Sequence, residues 1–94
     1  LAGVDVLALP TVPKTAHPVA PDRSLETALA RATDMAGNTA PFDITGHPAI
    51  SVPCGAVDGL PVGLMFVGER HDDGAVLAAA SAFESAVGWD ELRL

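Results

Sequence analysis

Tyrosine is absent from this chain of 94 residues, cysteine and tryptophan occur once each, and phenylalanine occurs three times. With so few rings, a core built here must pack small aliphatic groups, and alanine is the commonest apolar residue. A lone cysteine, Cys54, excludes an internal disulfide and fits a reducing, cytoplasmic compartment. Lysine is scarcer than arginine, with Lys14 alone, and five basic residues face twelve acidic ones for a net charge of −7. Phosphate-dominated binding of nucleic acid needs a basic patch, so that class is excluded, and anionic lipid is disfavoured on the same ground. No apolar run approaches the roughly 18 residues of a membrane span without Gly, Pro or charge intervening. A basic segment followed by an apolar one, the mark of a secretory signal, does not open the chain.

What remains is 49% apolar and 18% charged, too apolar for a disordered acidic tail. The length allows one domain or part of one. The chain opens at Leu1 rather than Met, and Leu1-Ala2-Gly3 reads as a helix end stopped by a left-handed glycine. The expectation is therefore a piece of a longer protein, residues 1–94 forming a single C-terminal segment; a processed N-terminus is the plainer alternative.

Val4 to Leu9 is a short apolar run closed by Pro10 and reads as a strand buried on both faces. Pro10, Pro13, Pro18 and Pro21 make residues 10–22 an extended loop. Leu25, Leu29, Ala32 and Met35 share one stripe of a helix near 24–36, which Asp22 or Ser24 can cap and Gly37 can end. Asn38 to Gly46 reads as a short helical turn, with Asn38 or Thr39 accepting from its free N–H groups and Gly46 stopping it. Residues near 49–54 and 62–67 read as strands joined through Asp58-Gly59, a strong hairpin signal. Pro53 and Pro61 limit ladder pairing there, so one edge should be irregular. A last helix near 73–87 begins at Asp72 or Asp73, carries Val76, Ala80, Phe83 and Val87 on one face, and ends at Gly88, with Trp89 folding back on it. The fold class is α/β: part of a mixed sheet with two main helices.

Self-contained chemistry is hard to find in this pattern. A nucleophile needs a base that is itself oriented. No Gly-x-Ser-x-Gly elbow occurs; Ser24 reads as a cap, Ser51 lies mid-strand, and Ser81 and Ser85 lie on the last helix. Cys54 follows Pro53 with no cation near it in sequence, so it reads as an inert thiol. His17, His47 and His71 lack metal-ligand spacing, and Lys14 reads as a solvated loop side chain. Neither GxGxxG nor GxxxxGK is present. Asp43, between Phe42 and Ile44, is the carboxylate of most interest; a turn acceptor is its plainer role.

Taken in order, three segments resemble the C-terminal end of the amidase signature family. They are Asp5 to Thr11 (DVLALPT), Asn38 to Gly55 (NTAPFDITGHPAISVPCG) and Gly59 to Gly68 (GLPVGLMFVG), followed by the closing helix with Leu77, Ala80, Phe83 and Glu84. The resemblance covers nearly the whole chain. It implies an incomplete piece of a large mixed α/β fold, from a hydrolase that cleaves carboxamides through an acyl-enzyme. It also implies a catalytic Ser, a second Ser and a Lys in an N-terminal half with no match here, so no catalytic residue is assigned and the segment is expected to be inactive alone. Thr11, Phe42 and Asp43 map to the acyl-pocket wall and are the expected substrate-binding residues. Asp43 departs from the family's usual Asn, making an ionised side chain acceptor-only, and Met65 departs from a common Gln. The A subunit of glutamyl-tRNA amidotransferases commonly has an acid shortly before the turn; Asp34 lies close by, but Ala36 holds the aligned place, which favours a general amidase. No cofactor or metal is implied; the partners are the remainder of the amidase chain and a small amide substrate.

Two other classes stay open on the residues alone. Unpaired strand edges would suit a free-standing module that dimerises or recruits a partner. A small cysteine- or metal-dependent enzyme is the third.

Overall fold

A computed structural model describes residues 3–18 and 24–88. Strand β1 (Val6–Pro10) leads through a proline-rich loop to helix α1 (Leu25–Met35) and short helix α2 (Ala40–Thr45); strands β2 (Ala49–Val57) and β3 (Leu60–Gly68) precede helix α3 (Asp73–Val87). The α/β reading holds. The strands form one sheet in the order β1-β3-β2, and both pairings are antiparallel.

The hairpin is tighter than its sequence reading. Its strands run up to Val57 and from Leu60, leaving only Asp58 and Gly59 in the turn, with φ of 52° and 77°. Two consecutive positive φ values give the mirror-image turn whose twist matches paired strands, and Asp-Gly is a favoured sequence for it. The prolines are placed where they remove no shared bond. Pro53 lies on β2, an edge strand. Pro61 lies on the middle strand, beyond the last β1 pair, Pro10 with Leu64. The expected irregularity is a bulge between Pro53 and Gly55, where Cys54 is the extra residue.

Caps explain the helix limits. Ser24 accepts from the Thr27 N–H at the start of α1, and Asp72 accepts from the Ala75 N–H at the start of α3, both at N-caps as expected. Gly46, at φ 78°, and Gly88, at φ 77°, end α2 and α3. Helix α1 closes on Ala36 rather than Gly37. The expected side-chain cap on α2 is not made: the Thr39 hydroxyl donates to the Ala36 carbonyl at 3.3 Å, and the Asn38 amide donates to the Pro10 carbonyl at 2.9 Å. Roles expected for Leu1, Ala2, Pro21, Asp22 and Trp89 fall outside the described residues.

Helix α3 lies on one sheet face. Val52, Phe66 and Ala80 form the buried cluster, with Ile50, Leu64 and Phe83 packed around it and the Phe66 and Phe83 rings edge to face at 6.1 Å. Val67, wholly buried, and Met65 alternate with Phe66 and so belong to the opposite face. One expectation fails: β1 is not buried on both faces, and Leu7 is 39% exposed. It is an edge strand with a single neighbour, β3, and helix packing on one side only. The first half of the α1 stripe is likewise uncovered, with Leu25 74% and Leu29 59% exposed, whereas Met35 at its end is half-buried.

Gly68 is the tightest backbone position against α3. A Cβ there would sit 3.0 Å from Val76 Cγ1 and 3.3 Å from the Asp72 carbonyl oxygen, which cannot rotate away. Gly68→Ala should cost about 1–3 kcal/mol in urea denaturation through overpacking of α3 on β3.

Candidate functional site

Thr11 follows β1 directly, and its N–H donates to the Gly63 carbonyl at 3.1 Å, extending the ladder by one bond. Its hydroxyl lies 2.6 Å from that of Ser51 on β2. The two strands are not neighbours; β3 runs between them. The hydroxyls meet because β3 carries Gly63 at the crossing: a Cβ on Gly63 would stand 2.8 Å from Ser51 Oγ and 2.9 Å from Thr11 Oγ1. Ser51 alternates with Ile50 and Val52, which pack toward α3, so the pair sits on the opposite face. Among the described residues no Lys or His lies within hydrogen-bond distance of Ser51, so no base is in place to make it a nucleophile.

The Asn38 bond to the Pro10 carbonyl pins the start of α2 beside Thr11. Helix α2 carries the other two expected wall residues. Phe42 is half-buried, with its ring edge to face against His47 at 6.4 Å. Asp43 is exposed and makes no side-chain hydrogen bond to another described residue, so it is not the turn acceptor considered from sequence. Thr45 Oγ1 lies 2.7 Å from His47 Nδ1, a contact that fixes the imidazole after the helix.

A cavity of about 480 Å³ opens at the hairpin end, between Val12–Ala16 of the proline-rich loop, Met35 of α1, and Cys54, Val57 and Pro61–Leu64 of the hairpin. Thr11, Phe42 and Asp43 do not line it; the structure groups Thr11 with Ser51 and Asn38 instead. Cys54 is half-buried, with its thiol 3.6 Å from the Val62 carbonyl. Lys14 is not merely solvated: its ammonium pairs with Asp34 of α1 at 3.2 Å, with both side chains about half exposed. His17 Nε2 lies 3.9 Å from the same carboxylate. No cluster of three His, Cys, Asp or Glu side chains among the described residues is arranged to hold a metal, and no described helix is long and apolar enough to cross a membrane.

Sequence reading missed Ser51 as a partner of Thr11. The signal was present as a glycine inside a strand pattern, which marks close approach of other groups. What it lacked was the strand order that brings β1 and β2 to either side of that glycine.

A family model described as Amidase matches residues 1–77. The chain is 52% identical over 89 residues to the enantioselective amidase of Rhodococcus rhodochrous, covering 94% of this chain and 17% of that protein. It is 48% identical over 85 residues to an uncharacterized protein of Rhodococcus erythropolis, covering 89% of this chain and 43% of that protein. Among solved structures, a glutamyl-tRNA(Gln) amidotransferase chain of Thermotoga maritima superposes with a TM-score of 0.70 at 33% identity, over 90% of this chain and 18% of that one. An amidase crystal structure superposes at 0.69 with 32% identity, over 94% of this chain and 21% of that one. The chain thus spans less than half the length of each of these four relatives.

Asn38→Ala should remove the tie between α2 and the end of β1 and cost about 1 kcal/mol, the usual worth of one such bond, in urea denaturation.

Proposed function

We propose that this chain, which belongs to the amidase family, forms the C-terminal part of an amidase-type hydrolase that cleaves carboxamide bonds. Its own segment supplies wall rather than reagent. The catalytic Ser, second Ser and Lys implied by the family resemblance lie on polypeptide outside this chain, so the segment alone is inactive. Catalytic groups of this kind act as a unit, and a wall without them retains almost none of the rate enhancement.

The observation that carries this reading is coverage: 94% of the chain aligns with 17% of an amidase at 52% identity. The shape agrees with it. The radius of gyration is 15.2 Å, against about 12 Å for a compact domain of this length. The extents of 44 × 34 × 16 Å are those of a slab one sheet and one helix thick. Leu25, Leu29 and Ile44, the last 86% exposed, are large apolar groups that adjoining parts of a larger domain would cover. Thr11, Phe42 and Asp43 are the residues we assign to the substrate side. The single cysteine of these 94 residues is in keeping with a cytoplasmic enzyme.

The uncovered α1 stripe also fits a second copy of the chain, which would make the segment a free-standing dimerising module. Light scattering separates the two: a dimer that stays dimeric after Leu25→Glu and Leu29→Glu would remove α1 as its interface.

The direct test is a graft. Replacing the matched segment of the Rhodococcus rhodochrous enantioselective amidase by this chain should give an enzyme that hydrolyses simple aliphatic and aromatic amides, whereas the 94-residue chain alone should not. A folded, soluble graft without activity would overturn the reading. So would robust turnover by the isolated chain that Ser51→Ala abolishes.

A further inference from the structure

We propose that the cavity at the hairpin end is a binding site for a small uncharged apolar molecule, a ring or a short hydrocarbon chain, and that the Lys14–Asp34 ion pair latches the proline-rich loop in place as its wall. The proposal goes beyond the amidase reading and stands without it, because none of the residues assigned to the substrate side lines this cavity.

Three observations carry it. The first is form. Three segments of this chain supply the walls: Val12 and Pro13 of the loop, Met35 of α1, and Val57, Pro61 and Leu64 of the hairpin. Their volume of about 480 Å³ falls in the range of small-molecule sites.

The second is chemistry. The polar side chains in the lining are those of Lys14, Thr15 and Cys54. The Lys14 ammonium is drawn to Asp34 at 3.2 Å, and the Cys54 thiol donates to the Val62 carbonyl at 3.6 Å. Among the described residues no carboxylate lines the cavity, and its one cation is paired. A charged ligand would lose its hydration with no counter-ion in return, whereas an apolar one gains in proportion to the area it takes from water.

The third is how the walls are held. The bulge leaves Cys54 out of ladder pairing and turns its side chain into the lining. Opposite it, α1 has no buried residue, so packing does not fix the helix against the loop. Charge does so instead. Asp34 stands in the last turn of α1, where the helix dipole disfavours a carboxylate and no basic residue of that turn offsets it. The loop answers with Lys14 at 3.2 Å and the His17 ring at 3.9 Å, and Arg31 of α1 donates to the Pro18 carbonyl at 3.5 Å. A half-exposed ion pair is weak, which suits a wall that must yield to admit a ligand.

Cys54, the chain's single cysteine, reports on the cavity it lines. The test follows its reaction with N-ethylmaleimide by peptide mass spectrometry, in the 94-residue chain and in the folded graft. Toluene should slow labelling by the factor 1 + [toluene]/Kd, while benzoate, the same ring bearing a charge, should not. Asp34→Asn and Lys14→Met should each speed labelling about two- to fivefold, the worth of one exposed ion pair, and the double variant should do no more than either. Exchanging the charges, Lys14→Asp with Asp34→Lys, should bring the slow rate back. Glu26→Gln, in the first turn of α1, should change nothing. Labelling that toluene leaves unaltered, equal protection by benzoate, or rates indifferent to Asp34 would each overturn the proposal. So would loss of protection in the folded graft, where neighbouring polypeptide would then fill the space. Amide turnover by the graft bears on the proposed function alone, since the labelling needs no activity.

Discussion

The two antiparallel ladders that flank β3 are the interaction on which the other features depend. β3 alone has partners on both sides, and the sheet's long-range features pass through it. Phe66 gives α3 its place in the buried cluster, and Gly68 lets the same helix approach closely. Val67 and Met65 fill the opposite face, and Gly63 lets side chains of two non-adjacent strands touch. A strand that alternates large apolar groups with glycines at two crossings serves packing and close approach together. That economy suits a chain with no tyrosine and few rings, which cannot fill gaps with large side chains.

Much of this was legible in the sequence, for local reasons. Asp58-Gly59 specified a mirror-image turn because both positions must reach positive φ. Ser24, Asp72, Gly46 and Gly88 marked helix ends because caps act within a few residues of themselves. The apolar stripe of α3 identified its inward face. The ordered motifs resembling the amidase signature family added the larger frame, which the family match bears out.

What stayed hidden was set by partners distant in sequence. The run Val4 to Leu9 looked like an interior strand because its composition is that of one, yet β1 is half open to solvent. Composition records the surroundings for which a strand is suited, and among the described residues those surroundings are not supplied. The same mismatch appears in Leu25 and Leu29, which obey helical periodicity and stay uncovered. Asn38 read as a cap because its type and position fit one; a carbonyl at Pro10, 28 residues away, claimed its amide instead. Thr11 and Ser51, 40 residues apart, could be joined only by knowing the strand order.

That order also dictates how the molecule comes together in time. The β2–β3 hairpin closes through two turn residues and can zip within microseconds. Strand β1 must then return across more than fifty residues to reach β3, a closure whose entropy makes it a late event. Since Thr11 rides at the end of that strand, its meeting with Ser51 completes only after the rest of the sheet has been assembled. A partly folded chain thus has helices, a hairpin and an apolar surface, but not yet the Thr11–Ser51 contact. The contact between these two hydroxyls is a property of the finished topology.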